Sequence, residues 1–179
     1  MRQEEAVATT GHDWSAEVFD VLRRKSIRLV ATVPDGGLTR LLNLCEQSPE
    51  VGVVTLTTEE EGIGLLTGAW LGGERGALLM QSSGVGNCVN ALSLPRICGA
   101  PCLMLVTMRG QWGEFNPWQV PMGAAVRPVF EAMGVHVYPV DRADDVALTF
   151  AAAADLTFNS GISAAVLISQ RVIGAKEFK

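Results

Sequence analysis

The feature that most constrains the fold is a regular alternation of two hydrophobic periods along the chain. Segments with apolar residues at helical spacing are separated by short runs of Val, Ile, Leu and Ala. The spacing predicts helices over Trp14–Lys25, Gly37–Gln47, Glu59–Gly72, Gly84–Ile97, Gly123–Met133 and Ala143–Asn159. In the first, Val18, Val21 and Leu22 share a face, and Ser15 or Asp13 can cap the start. In the second, Leu38, Leu41, Leu42 and Cys45 form the apolar side. Strands are predicted over Ile27–Val33, Val51–Leu56, Ala77–Met80, Cys102–Thr107, Val135–Val140 and Ala164–Ser169. Arg109–Met122 has no period and reads as a long loop. The strands are apolar throughout rather than alternating, as strands covered on both faces are. Short connections between alternating helices and strands give right-handed βαβ units. The expected fold class is therefore α/β: a doubly wound, mainly parallel sheet of about six strands with helices on both faces.

A chain of 179 residues suits one domain. The expected organisation is a flexible N-terminal tail over 1–13 and a single domain over 14–179. Hydrophobic residues make up 48% and charged residues 18%, against about 25% charged in an average globular protein. Such a chain buries ample apolar surface, which excludes disorder, and leaves some for other subunits to cover. The net charge is −5 with no prominent basic run, so nucleic acid is not an expected partner. Gly76–Met108 carries one charge, Arg96, but Gln81, Asn87, Asn90, Pro95 and Pro101 interrupt it. No run of about 20 apolar residues survives to cross a membrane. Met1–Trp14 is polar and has no apolar secretory segment, so the expected location is the cytoplasm. The four cysteines form no CxxC pair, and only His12 and His136 could join them. They read as buried thiols in a reducing compartment, with no metal site.

In open parallel sheets, function collects at the carboxyl ends of the strands. The first four predicted strands lead into Pro34-Asp35-Gly36-Gly37, Thr57-Thr58-Glu59-Glu60-Glu61-Gly62, Gln81-Ser82-Ser83-Gly84-Val85-Gly86-Asn87 and the Met108–Gln119 stretch. Gly62-Ile63-Gly64-Leu65-Leu66-Thr67-Gly68 imitates a dinucleotide fingerprint, but its spacing is wrong by one. Three glutamates also stand where a pyrophosphate would sit. Acidic residues at a helix start also simply complement the helix dipole. The Ser82–Asn87 turn, glycine-rich and opening a helix, either receives a ligand against its backbone or makes a tight connection.

Together, Leu79–Asn87 and the preceding Gly68-Ala69-Trp70 resemble the pyrimidine-binding domain of thiamine-diphosphate-dependent decarboxylases. In that family a glutamate ends a strand, a glycine-plus-aromatic pair follows nine positions on, and a later strand ends in a Ser-Gly-x-Gly-type turn. Glu59 and Gly68 stand at that separation, with Trp70 one position late. Pro34-Asp35-Gly36, Gln81–Asn87, Arg109-Gly110 and Gly113-Glu114-Phe115-Asn116-Pro117 are similar to loops of the sulfopyruvate and phosphonopyruvate decarboxylase branch. Gly36-Gly37 stands where that branch would place a serine or similar small polar residue. The resemblance implies that Glu59 is catalytic, hydrogen-bonding N1′ of the aminopyrimidine and handling a proton. It implies that Glu59, Ser83, Gly84 and Asn87 bind the cofactor. It also implies that Pro34, Asp35, Gln81, Arg109 and Asn116 meet an anionic 2-oxo acid. Arg109 is the candidate for a sulfonate or phosphonate, because a guanidinium matches such oxyanions. It reads equally well as one half of a rim salt bridge.

Full-length relatives carry a second domain whose Gly-Asp-Gly and downstream Asn hold Mg²⁺ and the diphosphate; this chain has no Gly-Asp-Gly. The resemblance thus implies an α subunit active only with a diphosphate-binding β subunit, which holds the Mg²⁺, in a homo-dimerised or higher hetero-oligomeric assembly. Trp112 and Trp118 close the site or pack at an interface. The sequence does not choose between sulfopyruvate and phosphonopyruvate. Two other readings are a flavodoxin-like nucleotide- or flavin-binding module and a non-catalytic assembly subunit.

Overall fold

The structure is a computed structural model that describes residues 12–175. Among the described residues six strands stand as expected, with eight α-helices where six were expected: α1 (Trp14–Arg24), β1 (Ile27–Thr32), α2 (Thr39–Glu46), β2 (Gly52–Thr55), α3 (Glu59–Leu71), β3 (Arg75–Gln81), α4 (Ser82–Cys88), α5 (Ser93–Cys98), β4 (Leu103–Thr107), α6 (Gln119–Ala132), β5 (His136–Val140), α7 (Ala143–Ser160), β6 (Ala164–Ile168) and α8 (Gln170–Ile173). All strand pairs are parallel, in the order β2-β1-β3-β4-β6-β5.

The central strands β3, β4 and β6 bury both faces, while the edge strands β2 and β5 stay largely exposed, and the two-residue side-chain period sends neighbours into separate cores. Ala77 and Leu79 of β3, Leu103 and Leu105 of β4, and Val166 of β6 join one core with Val18, Val21 and Leu22 of α1, Leu41 of α2 and Phe150 of α7. Leu78, Met80, Met104, Val106, Ala165 and Leu167 join the other with Ile63 and Leu66 of α3, Val85 of α4, and Val126 and Phe130 of α6. This is the doubly wound arrangement read from the sequence.

Local differences have local causes. The single helix expected over Gly84–Ile97 is two, α4 and α5. A continuous helix would need the Pro95 nitrogen to donate to Ala91, and proline has no N–H to give. The chain instead tightens through Ser93 N–H to Asn90 O and Leu94 N–H to Ala91 O, 3.1 and 2.9 Å. Helix α6 starts four residues before the expected Gly123, because Pro121 falls in its first turn, where no amide partner is needed. Helix α8 was not anticipated at all. Of the expected tail, residues 1–11 lie outside the described residues. His12 and Asp13 belong to the start of α1: Asp13 Oδ1 accepts from Ala16 N–H at 3.2 Å, and His12 Nε2 lies 2.6 Å from Glu17 Oε2.

Among the described residues no helix is long and apolar enough to cross a membrane, and no cluster of His, Cys, Asp and Glu could hold a metal ion. Burial pushes the Cys45 thiol up to about 11 and those of Cys88 and Cys102 up to about 12.

Candidate active site

Across the carboxyl edge of the sheet, the ends of β2, β1, β3, β4 and β6 and the residues just past them carry Glu59, Asp35, Gln81, Arg109 and Gln170 in that order, with Gln81 the last residue of β3 itself. Parallel pairing puts all five on one edge, and the side chains gather into three hydrogen-bonded groups.

The first centres on Glu59, the opening residue of α3. Of the three consecutive glutamates only Glu59 is buried, at 7% exposure; Glu60 and Glu61 face outward. Glu61 Oε2 accepts from Thr57 N–H at 2.9 Å and closes the helix start. Glu59 Oε2 accepts from Asn87 Nδ2 at 2.8 Å, while no described residue donates to Oε1. The carboxyl lies directly on the backbone of Gly84, where a Cβ would overlap its Cγ, Cδ and Oε1. Only glycine admits a carboxylate that close to a helix start. Asn87 is exposed apart from this bond. An enclosed carboxyl group with one oxygen held and the other unpaired fits a hydrogen-bonding ring nitrogen, so the donor set suits the aminopyrimidine end of thiamine diphosphate.

The second group is a polar chain. Asp35 Oδ1 accepts from Gln81 Nε2 at 2.8 Å, and Oδ2 accepts from Thr107 Oγ1 and Gly37 N–H, both at 3.0 Å. Gln81 Oε1 then accepts from Ser83 Oγ at 2.8 Å. The carboxylate sets the polarity of the whole chain. The Gln81 amide must turn its NH₂ to Asp35, and the Ser83 hydroxyl must donate to Gln81, leaving its lone pairs for a ligand. Gly37, part of the glycine pair singled out in the sequence, is tied into this chain; a Cβ there would stand 3.0 Å from Asp35 Oδ2 and 3.2 Å from Thr107 Cγ2. Pro34 is exposed beside Asp35.

The third group surrounds Arg109. Its Nε and Nη2 donate to Glu114 at 2.7 and 2.6 Å, a bidentate pair whose side chains are only 8% and 4% exposed. A rim salt bridge was one reading of this arginine; the pair is buried instead. Glu114 also accepts from Gly110 N–H, Asn116 N–H and Gln170 Nε2 at 3.1, 3.0 and 3.0 Å. The Arg109 guanidinium, with help from these N–H groups, holds the Glu114 carboxyl at about 2, and Glu114 raises the pKa of Arg109. The Arg109 N–H donates to Ser82 Oγ at 3.0 Å, which joins this group to the start of α4. Asn116 spends its side chain on a turn, Oδ1 accepting from Trp118 N–H at 3.1 Å. Gly110, at φ +75°, lies against Gln119 of α6 where no Cβ would fit. Trp112, Phe115 and Trp118 stand half to mostly exposed around this loop.

Ser83, Gly84, Asn87, Asp35, Gln81 and Arg109 thus meet along one edge, while Asn116 serves the loop itself. Sequence reasoning gave no role to Thr107, Glu114 or Gln170. Thr107 ends a predicted strand, and Glu114 sits in a stretch without period. Gln170 directly follows the last strand, a position that signals the carboxyl edge once β6 is known to lie beside β4.

No protein-family model matches the chain. It is 32% identical over 155 residues to the sulfopyruvate decarboxylase subunit alpha of Methanococcus maripaludis, covering 86% of this chain and 93% of that one. It is 37% identical over 101 residues to the phosphonopyruvate decarboxylase of Streptomyces viridochromogenes, covering 56% of this chain and 25% of that longer protein. Among solved structures, 2-oxoglutarate:ferredoxin oxidoreductase from Magnetococcus marinus, with 2-oxoglutarate, coenzyme A and succinyl-CoA bound, matches with a TM-score of 0.73. The match covers 89% of this chain and 29% of that one at 15% identity, a likeness of fold.

Proposed function

The chain belongs to the sulfopyruvate decarboxylase α-subunit family, and from that premise we propose that it is the pyrimidine-binding subunit of a thiamine-diphosphate-dependent carboxy-lyase. Its substrate is sulfopyruvate or phosphonopyruvate, and its products are CO₂ and the corresponding aldehyde. The observation that carries this reading is Glu59: a buried carboxyl seated on bare glycine backbone, anchored by Asn87 through one oxygen and with no donor to the other among the described residues.

Thiamine diphosphate, when bound, supplies the electron sink that lets a 2-oxo acid lose CO₂. Glu59 would hold its pyrimidine end through Oε1, the atom at which a proton could pass to and from the ring. Asn87 fixes the rotamer of Glu59. Gly84 lets the carboxyl sit flush with the backbone, and its α4 neighbour Ser83 offers oxygen lone pairs. Asp35 and Gln81 line the substrate side, with Pro34 at its mouth. Arg109 receives the tail anion through the N–H groups that Glu114 leaves unused. Asn116 shapes the loop that carries Arg109.

Mg²⁺ and the diphosphate fall to a β partner; the "subunit alpha" name of the Methanococcus relative supports the existence of a partner subunit. The exposed Leu71, Ile97, Trp112 and Trp118 are surface for such partners to cover. The functional unit is the single domain expected over 14–179 together with the Asp13 cap of α1, acting in the cytoplasm.

Co-expression with a candidate β chain tests the function. The purified complex, given thiamine diphosphate and Mg²⁺, is expected to release CO₂ from sulfopyruvate or phosphonopyruvate, and neither chain alone is expected to do so. A complex that assembles, binds the cofactor and decarboxylates neither acid would refute the reading.

A further inference from the structure

Gln170, just past β6, is a polar side chain with 0% exposure. It spends both ends of its amide on the loop after β4. Oε1 accepts from Gln111 N–H at 2.9 Å and Trp112 N–H at 3.0 Å, and Nε2 donates to Glu114 Oε2 at 3.0 Å. The Gln170 N–H also donates to Gln111 Oε1 at 3.2 Å. Two N–H donors at one end and a carboxylate at the other permit a single amide orientation. Glu114, so held, covers one edge of the Arg109 guanidinium through Nε and Nη2. That uses two of the five N–H donors of an arginine, and no described residue accepts from Nη1. The charged groups acting on Arg109 are Glu114 and Asp35, and the Phe115 ring lies 5.7 Å from its Cζ.

We propose that Gln170 is a positioning residue for the substrate's tail anion: it holds Glu114, Glu114 holds Arg109, and Arg109 keeps its terminal edge aimed at the incoming sulfonate or phosphonate. This rests on the assignment of Arg109 made above. An unrestrained arginine loses rotamer freedom each time it captures an anion, whereas one fixed in advance does not, so the restraint appears in substrate affinity. The chain thus contributes a binding-site component from the start of α8, about sixty positions beyond the loop it serves.

Gln170→Glu tests this. The replacement keeps the size and the oxygen facing Gln111 and Trp112, but sets a second carboxylate against Glu114. A carboxyl placed there is protonated more readily than usual, and once protonated it can donate to Glu114 as the amide did. In the α–β complex with thiamine diphosphate and Mg²⁺, KM for the tail-bearing acid is expected to rise about tenfold near pH 8, with kcat within about twofold. It is expected to return toward wild type near pH 6. Gln170→Met, of similar size with no hydrogen bond, is expected to show the same rise at both pH values, and carries the test if the first variant does not fold. Unchanged KM in a folded variant, or a loss confined to kcat, overturns the proposal. So does a Gln170→Glu defect that does not recover in acid. A wild-type complex inert toward both acids would instead defeat the functional reading, so the two failures are told apart.

Discussion

Glu114→Ala is the perturbation whose size the structure sets most directly. The carboxylate accepts five hydrogen bonds, two from Arg109 and one each from Gly110, Asn116 and Gln170. Truncation leaves a buried guanidinium without its counter-charge, a defect worth about 3–5 kcal/mol. For a domain of this length each kcal/mol lowers the melting temperature by about 2–4 °C, so a fall of about 10 °C is expected at neutral pH. The pH dependence adds a second signature. The Glu114 pKa is lowered from 4.5 to about 2 in the folded chain. Its contribution is therefore complete above about pH 4.5 and fades as pH falls toward about 2. The melting gap between wild type and variant is expected to narrow across that window. Scanning calorimetry from neutral to acid pH measures both effects. Hydrogen exchange at the Gln111 and Trp112 amides reports whether the loop loosens before the domain melts. A gap below about 1 °C at neutral pH with unchanged exchange, or a gap that persists undiminished in acid, would refute the buried-pair account.

Two further outcomes are expected. Gly84→Ala drives a methyl into the Glu59 carboxyl, so the reconstituted complex is expected to lose most of its turnover while the α chain loses about 1–3 kcal/mol of stability; full activity would contradict the close seat of Glu59. Titration with a thiol reagent at neutral pH is expected to find one fast cysteine, the exposed Cys98, and four after unfolding, because Cys45, Cys88 and Cys102 are buried with raised pKa values; rapid labelling of more than one in the native chain would contradict it.

The alternation of periods made the doubly wound sheet legible, because strands buried on both faces and helices buried on one leave different signatures. The sequence did not carry strand order. β6 lies between β4 and β5 although it comes last, and that placement alone brings Gln170 to Glu114. The resemblance to thiamine-diphosphate-dependent decarboxylases singled out Glu59 among three glutamates through its separation from Gly68; the fold buries that residue and leaves the other two outside. Arg109 was legible as a charge in a polar loop, but its partner five positions on was not, because an aperiodic segment gives no rule for which side chains meet. The division of α4 from α5 was readable in Pro95, whose missing N–H outweighs the apolar spacing on either side.

In the proposed function the Glu59 carboxyl, not merely its shape, serves the cofactor. Glu59→Gln preserves size and can still accept from Asn87, but cannot exchange a proton at Oε1. Turnover of the α–β complex under saturating thiamine diphosphate, Mg²⁺ and substrate is the most direct measurement. A fall of about 10²–10⁴-fold is expected, with assembly and melting temperature unchanged; a Glu59→Gln complex working at near wild-type rate would overturn the role of the carboxyl.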